Sequence, residues 1–321
     1  MRPVPEEIRN AVIIYNPTSG RKRARRLEAL REAAQILRDS RIETQLLSTT
    51  CAGSATELAR AAAKNGCGML VVCGGDGTIN EVVNGIAGTD APLAVLPAGT
   101  ANILAKELRI PWSIPAAARL IARGKLARIA LGQAKWQQPS KDGPAVPMAR
   151  YFLCVAGAGP DGSIVHGIDV ARKIRIGILA YWLEGFRQFF TYPFPLFRIE
   201  SHENKLSASL IIVGRTRYYG GPFQITTGAS LFEEQFEIVA YTGRNRFRVL
   251  QCLPAIWLGR LHRVPGIYFW KTAQLTCKPM DGNEVFSQLD GESASVLPVE
   301  FRVVPDALTL VIPANSQFDA S

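Results

Sequence analysis

Three times in the first hundred residues a short apolar run stops abruptly in a turn rich in Gly, Pro or Asn. Ala11–Tyr15 ends in Asn16-Pro-Thr-Ser-Gly20, Met69–Cys73 in Gly74-Gly-Asp-Gly-Thr78, and Leu93–Leu96 in Pro97-Ala-Gly-Thr-Ala-Asn102. Apolar runs this short, bounded by such turns, read as buried strands rather than helices. Between them lie segments of helical spacing. Arg21–Arg38 sets Leu27, Leu30, Ala34 and Leu37 on one face, and Ile42–Leu47 follows as a further strand. Ser54 and Glu57 have the spacing of a capping box, opening a helix that stops at Asn65-Gly66. Thr78–Ile86 continues as a helix from the second turn. Strands alternating with helices of this length predict a mostly parallel sheet with helices on both faces.

Beyond Arg123 the pattern changes. Arg128–Trp136, Ala149–Val155, Leu206–Val213, Phe236–Tyr241, Ala273–Lys278 and Val299–Val304 are short, β-rich and bounded by Gly, Pro or Asn, which suits an antiparallel sandwich. Leu308–Pro313 reads as a last strand. The expected organisation is an α/β domain over residues 1–127, rejoined by 305–321, and a β-rich, sandwich-like domain over 128–304.

Composition narrows the class. At 321 residues with 47% hydrophobic content, the chain can bury two cores. No apolar run is long enough to span a bilayer, and the segment MRPVPEEIRN has no signal-like apolar core. The six cysteines lack metal or disulfide spacing, and the three histidines are scattered. This points to a reduced, cytoplasmic protein without a zinc site or histidine triad. Net charge of +10 favours an anionic partner. The cations are spread over several segments with no nucleic-acid module, so nucleic acid is not the expected partner.

The three turns fall where an open parallel sheet binds ligands, beyond the carboxyl ends of its strands. Glycine lets backbone amides approach phosphate there. A dinucleotide fingerprint fails, because from Gly75 the sixth position is Asn80. Gly-Lys-Ser/Thr, His-Arg-Asp and Asp-Phe-Gly segments are missing, which excludes Walker-type and protein-kinase loops. Asp76 is an anion in the middle of a phosphate loop. It fits a site where a Mg²⁺ ion, water or ribose hydroxyl intervenes.

The segments GGDGTINEVVNG and LPAGTANILAKEL, with Gln288-Leu-Asp-Gly-Glu292 near the end, resemble the diacylglycerol kinase catalytic-domain family. That family includes bacterial lipid kinases and is related to the sphingosine and ceramide kinases, and it shares its Gly-Gly-Asp-Gly-Thr core with NAD kinases. The resemblance implies an ATP- and Mg²⁺-dependent kinase acting on a lipid hydroxyl, diacylglycerol first. It assigns Asn16, Thr49, Gly74, Gly75, Asp76, Gly77, Thr78, Asn80 and Thr100 to ATP. It assigns Asp290 and Glu292, with Asp76, to catalysis. By the same alignment a structural Mg²⁺ would be held by the Leu231 and Phe236 carbonyls and by Glu234.

Three departures stand out. Ile103 follows Asn102 where the family often has Asp, and Glu234-Gln235 replaces an Asp-Gly turn. In FLCVAGAGPDGSI (152–164), Cys154 and Pro160 replace Asn and Phe. The rival readings are a soluble NAD-kinase-like enzyme and a non-catalytic, nucleotide-responsive lipid-binding protein.

Arg21–Arg26 places five cations in six residues, unfavourably against the positive end of a helix dipole. They suit nucleotide phosphates or an anionic membrane, with a solvated helix face as the plain alternative. Residues 181–197 hold eight aromatics, with Arg172, Lys173 and Arg175 just upstream. Residues 243–263 mix Arg with Leu, Ile and Trp257. Core packing and a membrane-facing surface are both open for these stretches. The expected partners are a lipid substrate and an anionic membrane surface touched peripherally from the cytoplasm, and a homodimer is compatible with the reading.

Overall fold

The computed structural model describes residues 2–3, 8–20, 23–140, 143–167, 191–280 and 282–314. Arg21, Lys22, Arg172, Lys173, Arg175 and the aromatic run from 181 to 190 lie outside the described residues. Two compact units divide the chain: Met1–Ala130 with Pro305–Ser321, and Leu131–Val304.

The first unit contains β1 (Arg2–Pro3), β2 (Asn10–Tyr15), α1 (Arg23–Asp39), β3 (Glu43–Ser48), α2 (Ser54–Lys64), β4 (Met69–Gly74), α3 (Asp76–Ile86), β5 (Leu93–Pro97), α4 (Ile103–Glu107), α5 (Ile114–Ala122) and the start of β6 (Lys125–Gln138). The second contains the rest of β6, β7 (Val146–Phe152), β8 (Val155–Ala158), α6 (Pro160–Gly167), β9 (Phe197–Ser201), β10 (Lys205–Ala208), β11 (Leu210–Gly214), β12 (Tyr218–Tyr219), β13 (Phe223–Gln224), β14 (Phe236–Tyr241), α7 (Arg246–Trp257), β15 (Ile267–Thr272), β16 (Gln274–Pro279), β17 (Phe286–Leu289) and β18 (Glu292–Val296). Last comes β19 (Val299–Ile312), which supplies both units.

In the first unit β3, β2, β4 and β5 form a parallel ladder, and β19 runs parallel beside β5 with Leu310 opposite Leu93. All six residues of β4 are buried, as expected for a central strand covered on both sides. α1 packs on α5, and α2 on α3. The second pair touches closely at Gly85, where a Cβ would stand 2.6 Å from the Thr56 carbonyl oxygen. Leu30, Ala34 and Leu37 line the buried side of α1 with Ala33, whereas Leu27, expected there, is exposed.

The capping box at Ser54 does not form. Gly53 is the N-cap, and Ser54 Oγ instead donates to the Cys51 carbonyl (2.7 Å). Glu57 turns outward to Arg60. The amide of Ala55 is satisfied from outside the helix, by Glu81 Oε2 at 3.1 Å, and Thr56 Oγ1 donates to the Glu81 carbonyl (2.9 Å). A residue of α3 therefore caps α2, and local sequence cannot reveal that.

The second unit is an antiparallel sandwich. One sheet has the order β15-β14-β11-β8-β17-β18, and the other includes β10-β9-β16-β19 with β6 and β7. Their facing sides share one apolar core, including Phe152, Phe197, Ile211, Phe236, Ile238, Leu275, Val299 and Phe301. Phe152 stacks on Phe236 at 5.6 Å and meets Phe301 edge-on at 6.2 Å. Among the described residues, no helix is long and apolar enough to cross a membrane.

Candidate active site

The three turns of the first unit meet one another. Ala98 N donates to the Gly74 carbonyl at 3.1 Å, and Asn16 Nδ2 donates to Thr78 Oγ1 at 3.3 Å. A Cβ on Gly99 would lie 2.4 Å from Gly75 Cα, and one on Gly20 would lie 2.1 Å from the Ala98 carbonyl oxygen. Glycine at 20 and 99 is thus what lets the loops pack backbone to backbone. Gly75 N-caps α3, and Ile79 N makes the first helical bond back to its carbonyl at 3.0 Å. The amides of Asp76, Gly77 and Thr78 precede that bond, at the positive end of an eleven-residue helix. Such an end can hold phosphate oxygens.

Asp76 joins the second loop to the third. Its Oδ2 accepts from Asn102 N (2.9 Å) and its Oδ1 from Ile103 N (2.7 Å). Asn102, buried and left-handed at φ 45°, adds reciprocal bonds to Gly99. Lys106 follows on α4. Burial pushes its ammonium down, and the neighbouring Asp76 charge opposes that. Thr49 extends the β2–β3 ladder by donating its amide to the Tyr15 carbonyl (2.9 Å), and Thr100 is exposed on the third loop. Asn80 is buried in α3, where Asn84 Nδ2 donates to its carbonyl (2.9 Å).

Arg26 is the one member of the basic 21–26 run with described contacts. It is buried, and its Nη1 donates to the Asn16 and Pro17 carbonyls at 2.9 and 3.1 Å. It braces the first loop from behind.

In the second unit Asp290-Gly291 is the turn between β17 and β18, with φ of 49° and 79°. Two consecutive positive φ values are those of a type I′ hairpin turn. The turn also aims a carboxylate. Asp290 Oδ2 accepts from Leu153 N (2.7 Å), and Oδ1 accepts from Cys154 N (2.8 Å) and Val155 N (3.0 Å). Glu292 is ion-paired with Arg150, both partly exposed.

Behind the turn runs a buried chain of side chains. Gly291 N donates to Gln288 Oε1 (2.8 Å), Gln288 Nε2 donates to Asp161 Oδ2 (2.8 Å), and Tyr219 donates its hydroxyl to Asp161 Oδ1. Burial pushes the Asp161 carboxyl up, and its bonds from Tyr219 and Gln288 pull it back. Gly157 makes room for it, and Gly162 for the adjoining Phe286 backbone. A Cβ on Gly157 would lie 1.8 Å from Asp161 Oδ2, and one on Gly162 would lie 2.0 Å from the Phe286 carbonyl oxygen.

Two family models match the chain in sequence order. Residues 10–134 match the diacylglycerol kinase catalytic domain, and residues 154–312 match the YegS C-terminal NAD kinase beta sandwich-like domain. A diacylglycerol kinase of Bacillus subtilis (strain 168) is 30% identical over 312 residues, covering 95% of this chain and 97% of that protein. This chain belongs to the diacylglycerol kinase family. The family fold also appears in a crystal structure of a diacylglycerol kinase from Bacillus anthracis str. Sterne, with TM-score 0.68 at 18% identity, covering 97% of this chain and 99% of that one. Yeast NADH kinase complexed with NADH aligns with TM-score 0.50 at 12% identity, over 97% of this chain and 86% of that one.

Against the diacylglycerol kinase motifs, the departures acquire physical content. Ile103 has no carboxylate to offer, but its amide is one of the two that Asp76 engages. Cys154, in place of Asn, contributes its amide to Asp290. Leu231, Glu234 and Phe236 are the residues expected around a structural Mg²⁺. The Leu231 carbonyl accepts from Arg215 Nη2 (2.7 Å), Phe236 is buried at the start of β14, and Glu234 is exposed. Among the described residues no cluster of three His, Cys, Asp or Glu could hold a metal ion.

Sequence reading missed Arg150 and Arg215, and named Arg26, Asp161 and Gln288 only as members of longer runs, without these contacts. Only Asp161 carried a local signal, the glycines that flank it on both sides.

Proposed function

We propose that this kinase transfers the γ-phosphoryl group of MgATP to a lipid hydroxyl, diacylglycerol first, at an anionic membrane surface reached from the cytoplasm. The observation that carries the reading is the meeting of three glycine-bearing loops at the N-terminal end of α3. The amides of Gly77 and Thr78 would receive phosphate oxygens, with Asn16, Gly74, Gly75 and Thr100 shaping the rim and Thr49 and Asn80 supporting it. Mg²⁺ bound to the nucleotide would neutralise charge on the β- and γ-phosphates.

Asp290 would orient the lipid hydroxyl and accept its proton as the new O–P bond forms and the bond to the β–γ bridging oxygen breaks, releasing ADP. Three amides hold its carboxylate in one direction, so little reorganisation is needed. Glu292, held by Arg150, would supply the second carboxylate.

The match of residues 154–312 to an NAD kinase-like sandwich favours one other reading, a soluble kinase acting on a dinucleotide. Offering diacylglycerol micelles and NAD together with labelled MgATP separates the two. Label in lipid is the expected result, and label in the dinucleotide alone would exclude the lipid reading.

Membrane docking draws support from α7. No residue of this helix is buried. Phe247, Leu250, Leu253 and Trp257 follow helical spacing and are 65%, 48%, 40% and 71% exposed, with Leu258 at 66%. Residues 243–263 hold five arginines and no acid. An apolar stripe flanked by cations alone suits an anionic bilayer. Each large side chain buried in lipid contributes about 1.5–3 kcal/mol. The double substitution Phe247→Ser, Trp257→Ser should therefore weaken binding to phosphatidylserine vesicles at least about tenfold. Binding of MgATP should be unchanged. Equal vesicle binding by wild type and variant in a co-sedimentation assay would remove α7 from the membrane surface.

A further inference from the structure

The loop from Leu231 to Gln235 turns three carbonyls onto a single cation, and that cation is part of the chain. Arg215 follows β11 directly and is completely buried. Its amide donates to the Cys154 carbonyl at 2.8 Å, which fixes where its side chain begins. Its Nη1 donates to the Glu233 and Gln235 carbonyls at 2.5 and 2.8 Å, and its Nη2 donates to that of Leu231 at 2.7 Å. Alternate carbonyls of one loop thus converge on one guanidinium fork. A buried charge is tolerated only when paired and hydrogen-bonded. Here three carbonyl dipoles accept from its Nη1 and Nη2 groups, with Glu233 and Glu234 close by. Burial lowers the guanidinium to about 10, so it remains charged at neutral pH.

A divalent metal held by Leu231, Glu234 and Phe236 would compete with Arg215 for the one oxygen the two sets share, the Leu231 carbonyl. Mg²⁺ and Ca²⁺ require carbonyl or carboxylate oxygens at about 2.0–2.6 Å around the ion. The Leu231 oxygen already faces a guanidinium nitrogen. Of the loop's acidic side chains, Glu234 is exposed, and Glu233 pairs with Lys271 at 2.5 Å. The missing glycine at Gln235 agrees with this, since the loop closes around Arg215 instead of opening for an ion.

We infer that the Arg215 guanidinium is the resident cation of the 231–235 loop and takes the place of a structural divalent metal. The second unit then holds this loop in every ionic condition that leaves the rest folded. Any Mg²⁺ requirement of the enzyme belongs to its nucleotide alone. The inference stands independently of which acceptor the kinase uses.

Hydrogen exchange of the intact protein without nucleotide tests it. In the wild type, amides of residues 230–237 should exchange at the same rate in EDTA and in millimolar MgCl₂. Protection of that segment by Mg²⁺ would overturn the inference. Arg215→Met should speed exchange of the same amides by about tenfold or more, since it removes charged hydrogen bonds to the loop's carbonyls. A folded Arg215→Met protein with wild-type protection there would also overturn it. Should that variant fail to fold, the wild-type comparison in EDTA and Mg²⁺ still decides.

Discussion

Asp290→Asn should yield a folded protein whose kcat for lipid phosphorylation falls by roughly 10²–10⁴-fold, the span that a positioned general base commonly supplies. The substitution is well suited to the site because it leaves the backbone undisturbed. Asp290 has φ 49° and precedes Gly291 at φ 79°. Asn-Gly is the preferred pair for such a turn, so the β17–β18 hairpin should persist. The change falls on the carboxylate, which accepts from the amides of Leu153, Cys154 and Val155. An amide side chain keeps one acceptor oxygen and faces at least one of those N–H groups with an NH₂, at a cost of about 1–3 kcal/mol. A moderate drop in Tm is therefore expected as well. The pH–rate profile separates the two roles. Loss of a proton acceptor removes the acid limb of kcat, while a purely structural loss scales the profile down without changing its shape.

Asp76→Asn should act on nucleotide affinity. The wild-type carboxylate uses separate oxygens for the amides of Asn102 and Ile103, and an asparagine can serve only one of them. The other amide is left facing an N–H donor, which frees the third loop from the second. A lost bond to a charged acceptor is worth about 1.5–3 kcal/mol, or roughly ten- to a hundredfold in the Kd of nucleotide. Since this clamp acts through the backbone, the loss should appear for ADP both with and without Mg²⁺, as titration calorimetry can measure. A loss confined to the Mg²⁺ complex would instead return Asp76 to the metal-linked role that the sequence suggests for it.

The parallel sheet was legible because its strands are short apolar runs closed by Gly, Pro and Asn. The observed ranges of β2, β4 and β5 differ by a residue or so from those runs. β14 matches Phe236–Tyr241. Two signals misled. Pro305-Asp306 looks like a break between two strands, yet β19 runs through it with Asp306 at φ 47°. Ser54-x-x-Glu57 has capping-box spacing, but Glu81 serves the helix from 26 residues away. Likewise, the helices α4 and α5 are short, and α5 begins with a proline in its first turn.

In the candidate site, sequence pattern exposed residues whose spacing is local: the glycine loops and the Asp-Gly turn. It could not expose residues whose partners are distant along the chain. Arg26 on the first loop, Asp161 beneath Gln288, and Arg215 within the 231–235 loop are each placed by tertiary folding. Each is a buried charge, and buried charges leave no periodic trace in a sequence.

The central claim is tested most directly by transfer of labelled γ-phosphate from MgATP to diacylglycerol in mixed micelles. Wild type would be run beside Asp290→Asn and Glu292→Gln. The account predicts labelled lipid with the wild type and its near-complete loss with Asp290→Asn at undiminished nucleotide affinity. Absence of labelled lipid from a wild-type protein that binds MgATP, or full transfer by Asp290→Asn, would contradict it.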